Sequence, residues 1–179
     1  MQIKRKIKIF LTVLAAVFVL AAIPYVLHEY FGLQFFPMRW LHGGYECKYV
    51  YDGDTIEVRI RNRDVRVRLI GLDTPESVAP EDYKENTEEG KIAAEYLRSL
   101  VMGKTVYLEF DRDRYDNYGR MLAYVFMDDK KTMVNILILQ EGYAQTLRIY
   151  PNEKYTDEFK KAQQQAKREN KGFWGSLYK

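Results

Sequence analysis

The sequence predicts an α+β chain, mainly β: a small antiparallel barrel of five strands with three helices, preceded by an N-terminal transmembrane helix. Short apolar runs with period-two alternation, punctuated by Gly and Asp, predict the strands. Three segments with helical spacing predict the helices, one between the third and fourth strands and two at the end. A charge-free apolar stretch near the start predicts the membrane segment. The composition agrees with a packed core, being 47% hydrophobic and 15% aromatic with fifteen tyrosines.

The chain begins with a basic cluster, Lys4, Arg5, Lys6 and Lys8, followed by eighteen uncharged residues from Ile9 to Val26. At 1.5 Å per residue a helix over 7–27 crosses most of a hydrocarbon core of about 30 Å. The positive cluster places its N-terminus in the cytoplasm and the rest of the chain outside. Residues 1–27 are therefore expected to anchor the chain in the cell membrane as a single-pass segment. The competing reading is a cleavable signal with Val19-Leu20-Ala21 as its site, which would release a secreted domain. A signal's apolar region is usually only about 7–15 residues, and this run continues past that site. A buried core helix is the third reading. Aromatic residues between Tyr25 and Trp40 suit a lipid interface.

Residues 28–43 read as a linker, because Gly32, Pro37 and Gly43-Gly44 interrupt any periodicity. The domain, 44–175, starts with a hairpin. Runs at 45–51 and 55–61 flank Asp52-Gly53, a pair suited to a tight turn. Residues 64–72 alternate, with Val65, Val67 and Leu69 on one face and Asp64, Arg66 and Arg68 on a polar one. Strands at 104–110 and 120–127 complete the five. The first helix, 88–102, is capped by Thr87 and stopped by Gly103. The second covers 134–141. The third, 156–169, opens on Thr156 as its cap and carries Phe159, Ala162 and Ala166 on one stripe.

Charge and composition exclude several chemistries. With four of the 28 basic residues in the leader, 24 remain against all 25 acids, so the domain has no global attraction for polyanions. Cys47 is the single cysteine, which rules out an internal disulfide and a cysteine-rich zinc site; it is expected to be a small buried hydrophobe. The only histidines, His28 and His42, precede the domain, so histidine-based metalloprotease or nuclease motifs have no residues to work with.

Three strings concentrate the polar chemistry: DGDT (52–55), RLIGLDTPE (68–76) and DNYGR (116–120). Asp54 follows the hairpin turn, and Asp73 follows the third strand, where Pro75 prevents a continuing ladder. Pro75 also holds Thr74 extended, which can turn its carbonyl toward a cation. Two carboxylates and a backbone oxygen form a hard, incomplete shell that suits Ca²⁺, with water and a phosphate oxygen completing it. Glu76 lies three residues on, where a carboxylate can orient or deprotonate a water. Arg68 and Arg120 are expected to clamp phosphate, because the guanidinium fork bonds two oxygens at once and keeps its charge. Arg59, Arg61, Arg63 and Arg66 read mainly as exposed strand residues, Glu109 and Asp111 as structural.

In the joint occurrence of these strings, residues 44–175 resemble the staphylococcal-nuclease (thermonuclease-like) family. That resemblance implies an OB-type five-stranded barrel with three helices and calcium-dependent endonuclease activity on DNA and RNA. It implies catalytic roles for Arg68, Glu76 and Arg120, metal binding by Asp54, Asp73 and Thr74, and substrate contact by Tyr118, with Asp116 as an acidic neighbour near the metal. Two departures bear on substrate preference. The family's basic residue before the tyrosine of DNYGR is Asn117 here. Where the family offers a tyrosine pair for stacking, the string LRIYP offers Tyr150 and Arg148, whose guanidinium can also stack on a base. The chain is expected to act as a monomer on nucleic acid, tied to the membrane by its N-terminal segment. The alternative class is a non-catalytic OB module for nucleic-acid or partner binding, or a barrel that is only scaffold.

Overall fold

Alternation in the strand segments closes them around a common apolar interior. The computed structural model describes residues 41–75 and 87–175. Strands β1 (Leu41–Val50), β2 (Thr55–Ile60), β3 (Arg63–Leu69), β5 (Thr105–Glu109) and β6 (Met121–Phe126) form a closed barrel in the order β1-β2-β3-β6-β5. Two short strands, β4 (Leu72–Asp73) and β7 (Gln145–Thr146), pair separately. Helix α1 (Glu88–Val101) lies between β4 and β5 in the chain, α2 (Val134–Gln140) follows β6, and α3 (Thr156–Arg168) follows β7. The expected membrane segment 1–27, most of the linker 28–43, and Glu76 lie outside the described residues. Among the described residues no helix is long and apolar enough to cross a membrane.

The mainly β barrel with three helices is as expected, but it is not wholly antiparallel. β3 and β6 pair in parallel, with Val67, Arg68 and Leu69 opposite Met121, Leu122 and Ala123. A parallel pair needs a long crossover, which α1 and β5 supply here, and no short-range sequence signal announces it. β1 also begins at Leu41, within the expected linker, because the Gly43-Gly44 pair is absorbed where the register with β5 shifts between Gly43 and Tyr45. The short pair β4–β7 has too few residues to show a period.

The inward residues of the strands are fully buried, among them Val50, Ile56, Val58, Val67, Leu69, Leu108 and Phe126. Each such side chain contributes about 1.5–3 kcal/mol by leaving water. α1 covers the barrel with Ala93, Leu97 and Val101, and its Thr87 caps it by accepting from the Gly90 N–H at 2.9 Å. α3 packs Phe159, Ala162 and Ala166, but Thr156 does not cap it. Its hydroxyl instead donates to the Glu153 carbonyl at 2.9 Å. Cys47 is buried as expected, and burial pushes its thiol up to about 11.

Two buried polar connections hold loops that the core alone would leave free. Asn135, fully buried on α2, accepts from the Val125 N–H at 2.9 Å and donates to the Ile70 carbonyl at 2.8 Å. It thereby joins β6 to the chain reversal after β3. Glu109, also buried, accepts from the Tyr155 hydroxyl at 2.8 Å and pairs with Lys154. Nearby, Asp111 accepts from Tyr124, and Asn152 bonds both ways with the Asp113 backbone at 2.8 and 2.9 Å.

Replacing Asn135 by alanine strips partners from two buried backbone groups, each costing about 1–3 kcal/mol. The Asn135→Ala chain should lose about 2–4 kcal/mol in denaturant unfolding. A loss under about 1 kcal/mol would show that these groups find other partners.

Candidate active site

The end of β3 decides where the site lies. Gly71 has φ +86°, a conformation that disfavours a side chain, and a Cβ there would stand 2.1 Å from the Phe159 ring. The reversal at Gly71 brings Leu72, Asp73 and Thr74 back beside Arg68. Arg68 lies on the polar face of β3, as expected, and the returning segment buries it there to 7% exposure. Its guanidinium donates to the Leu72 carbonyl at 3.0 Å and pairs with Asp54 at 2.7 Å and Asp73 at 3.2 Å.

Asp54 is 5% exposed and is the hub of the site. Its Oδ2 accepts from the Thr74 N–H and hydroxyl, both at 3.2 Å, and its Oδ1 from the Thr55 hydroxyl at 3.0 Å. Its own N–H donates to Asp52 at 2.9 Å, and its carbonyl accepts from the Leu69 N–H at 2.8 Å. The start of β2 and the end of β3 are thus tied together at this residue. Burial pushes the Asp54 carboxyl up to about 8, against the lowering pull of Arg68.

The other guanidinium comes from the turn before β6. Asp116 accepts from the Tyr118 and Arg120 N–H groups, each at 2.9 Å, and from Arg120 Nε at 2.7 Å. Burial alone would raise the Asp116 carboxyl; the bonds from Arg120 and Tyr118 bring it below the usual carboxylate range. Gly119 closes the turn at φ +79°. Tyr118 is 85% exposed, with the Arg120 guanidinium 5.4 Å from its ring centre.

Asp54, Arg68, Asp73, Tyr118 and Arg120 all line one open cleft of about 710 Å³. Asp52, Asp64 and Arg66 line it as well. Sequence reasoning passed over these three, or read them as strand surface; the available signal was that Asp52 and Arg66 lie two residues from Asp54 and Arg68, and that Asp64 shares the polar face of β3 with both arginines. Thr74 lies behind Asp54, 7% exposed. Arg148 and Tyr150 are not among the residues lining this cleft. Arg148 pairs with Glu153 and lines a separate depression of about 470 Å³, and Tyr150 is 75% exposed.

The donor set fits a hard cation. Two carboxylates, one deeply buried and one half exposed, hold opposite ends of a single guanidinium and face the same cleft. No third acidic, histidine or cysteine side chain joins them in a metal-binding group among the described residues. With every group ionised, the cleft holds four carboxylates against three guanidiniums. A divalent cation reverses the sign of that balance from −1 to +1, which favours a phosphate.

A closed five-stranded barrel flanked by three helices, with paired acids and paired guanidiniums at one cleft, is an OB-type barrel. Residues 66–176 match the family model described as staphylococcal nuclease homologue, and the chain belongs to that family. It is 39% identical over 130 residues to the thermonuclease of Staphylococcus intermedius, covering 73% of this chain and 75% of that protein. It is 42% identical over 125 residues to the SPbeta prophage-derived endonuclease YokF of Bacillus subtilis (strain 168), covering 69% of this chain and 41% of that one. To endonuclease YncB of the same organism it is 39% identical over 125 residues, covering 69% and 57%. The chain thus spans less than two thirds of these two Bacillus relatives.

Because Asp54 is neutral more readily in the fold than in the open chain, its contribution to stability declines as pH rises from about 4 toward about 8. Removing Arg68 removes the largest lowering pull on that carboxyl and leaves the hydrogen bonds from Thr55 and Thr74. The Arg68→Ala chain should lose about 3–5 kcal/mol in chelator at alkaline pH, and less near pH 5. Equal losses at both pH values would show that Arg68 does not offset the Asp54 charge.

Proposed function

We propose that this chain cuts phosphodiester bonds of DNA, and of RNA, in the cleft between Arg68 and Arg120, with calcium held by Asp54, Asp73 and Thr74. The carrying observation is that two guanidiniums held by carboxylates line one cleft with an acid pair. The nuclease class of hydrolase follows from family membership and from relatives named thermonuclease and endonuclease.

Arg68 arrives pre-positioned. Three contacts hold its fork, so little side-chain entropy remains to be lost when phosphate binds. Asp116 holds Arg120 through Nε, one of five donors on the guanidinium. From two sides, the arginines would offset the negative charge that builds on phosphorus during in-line attack. When bound, the cation supplies Lewis-acid stabilisation of a phosphoryl oxygen and lowers the pKa of a bound water. Glu76 would orient or deprotonate the attacking water, from its position three residues past Asp73. Exposed Tyr118 would meet the substrate at the rim, and Arg148 and Tyr150 would contact more distant nucleotides. A non-catalytic barrel has less support, because the paired acids and guanidiniums are all present.

The reaction would take place outside the cytoplasm, given the basic cluster before the apolar run at 9–26. Mass spectrometry of the mature N-terminus distinguishes an anchored from a cleaved chain; a mature chain that begins after Ala21 would rule out the anchor.

The full chain in detergent should digest single-stranded DNA with calcium and stop in chelator; digestion that continues in chelator would remove the metal from the mechanism. Arg120→Ala should lower kcat by about 10²–10³ while leaving the unfolding midpoint near the parent's. A folded Arg120→Ala chain with near-parental kcat would overturn the clamp. Calcium competes with a proton at Asp54, so calorimetric affinity should rise between about pH 6 and about pH 9. Asp54→Asn should weaken calcium binding strongly, and an unchanged affinity would remove Asp54 from the ligand set.

A further inference from the structure

A second groove, of about 790 Å³, adjoins the cleft and shares Asp52, Asp64, Arg66 and Arg120 with it. Its wall is a row across three strands. Tyr49 of β1 stands opposite Glu57 of β2, which stands opposite Arg66 of β3, so all three occupy one sheet face. Tyr51, two residues beyond Tyr49, points to the same side. Its hydroxyl donates to Glu57 at 2.8 Å, its ring lies under the Arg66 guanidinium at 4.3 Å, and its edge meets the Tyr49 ring at 4.9 Å. A guanidinium and two phenol rings therefore form one contiguous cluster, with Tyr49 at its end and 49% exposed.

Two features distinguish this cluster from ordinary strand surface. Lys48, Arg59, Arg66 and Arg120 outnumber the three acids Asp52, Glu57 and Asp64, so the groove is net positive, while the adjoining cleft holds four acids against three guanidiniums. Its aromatic end also places a half-exposed ring beside cations, the combination that holds unpaired nucleotides through base stacking and backbone attraction.

The geometry points to a subsite in this groove for nucleotides flanking the scissile phosphate of a single-stranded substrate, with a base on Tyr49 and the backbone beside Arg66. The subsite rests on the nuclease reading, because it takes its direction from the cleft. It makes Tyr49 a determinant of affinity for long substrates and not of the chemical step. A dinucleoside monophosphate spans the cleft alone and has nothing to place on the cluster.

Steady-state cleavage by the full chain in detergent, on a dinucleoside monophosphate and on a single strand of about 12 nucleotides, tests the subsite. Tyr49→Ala should raise KM for the longer strand about tenfold with kcat unchanged and leave dinucleotide cleavage unaltered, while Tyr49→Phe restores the parental KM. A KM within about twofold of the parent on the long strand, or an equal loss on both substrates, would overturn it. If the parent chain cuts neither substrate, the nuclease reading fails. Fluorescence anisotropy with the same labelled strand then decides the subsite: about tenfold weaker Kd in Tyr49→Ala supports it, and an unchanged Kd refutes it. Equal weakening for a fully paired duplex would refute stacking, since its bases are not available to Tyr49.

Discussion

The buried contact between Asp54 and Arg68 is the constraint on which the rest of the site depends. One carboxylate oxygen receives the guanidinium, the Thr74 N–H and the Thr74 hydroxyl, so three chain segments meet at a single atom. Buried ion pairs often contribute little net stability, because desolvation offsets much of the attraction. Their value lies in position: neither group can leave without stranding the other. Here that mutual dependence sets the start of β2, the end of β3 and the β4 reversal relative to one another. The cost appears in Asp54 itself, whose ionisation is made unfavourable by the same burial.

The second guanidinium is held on a different principle. Asp116 and Arg120 are four residues apart, and one carboxylate organises both the turn and the side chain. This unit is local and partly exposed, with side chains 16% and 29% accessible. What the local unit lacks is a direction relative to the cleft. The buried Glu109 network and the reciprocal bonds between Asn152 and Asp113 supply it, by fastening the chain before the turn to the segment that enters α3. One arginine is thus rigid through burial, the other through a turn fastened at its base.

The cleft and the groove beside it differ in charge although they share four residues. The cleft gathers four carboxylates against three guanidiniums, the donors that the proposed calcium site would draw on. The groove gathers cations and aromatic rings, which attract a polyanion without any metal. On the proposed function, such a division would place the metal-dependent chemistry and the hold on a strand in adjoining regions of one sheet.

Local patterns determined much of this protein by themselves. Period-two alternation and Asp-Gly located the barrel strands to within a few residues, and Thr87 and Gly103 bounded α1, because turns and caps are short-range chemistry. The three strings named both arginines and both acids, since the residue types needed for phosphate and cation are few. Only the tertiary structure decided that Arg68, on the polar face of β3, is buried there by Asp54 and the returning chain, that β3 and β6 run parallel, and that Arg66, Asp64 and Tyr49 border the site. Those outcomes depend on which strands become neighbours when the barrel closes. Closure is a property of the whole sheet, so no window of sequence contains it.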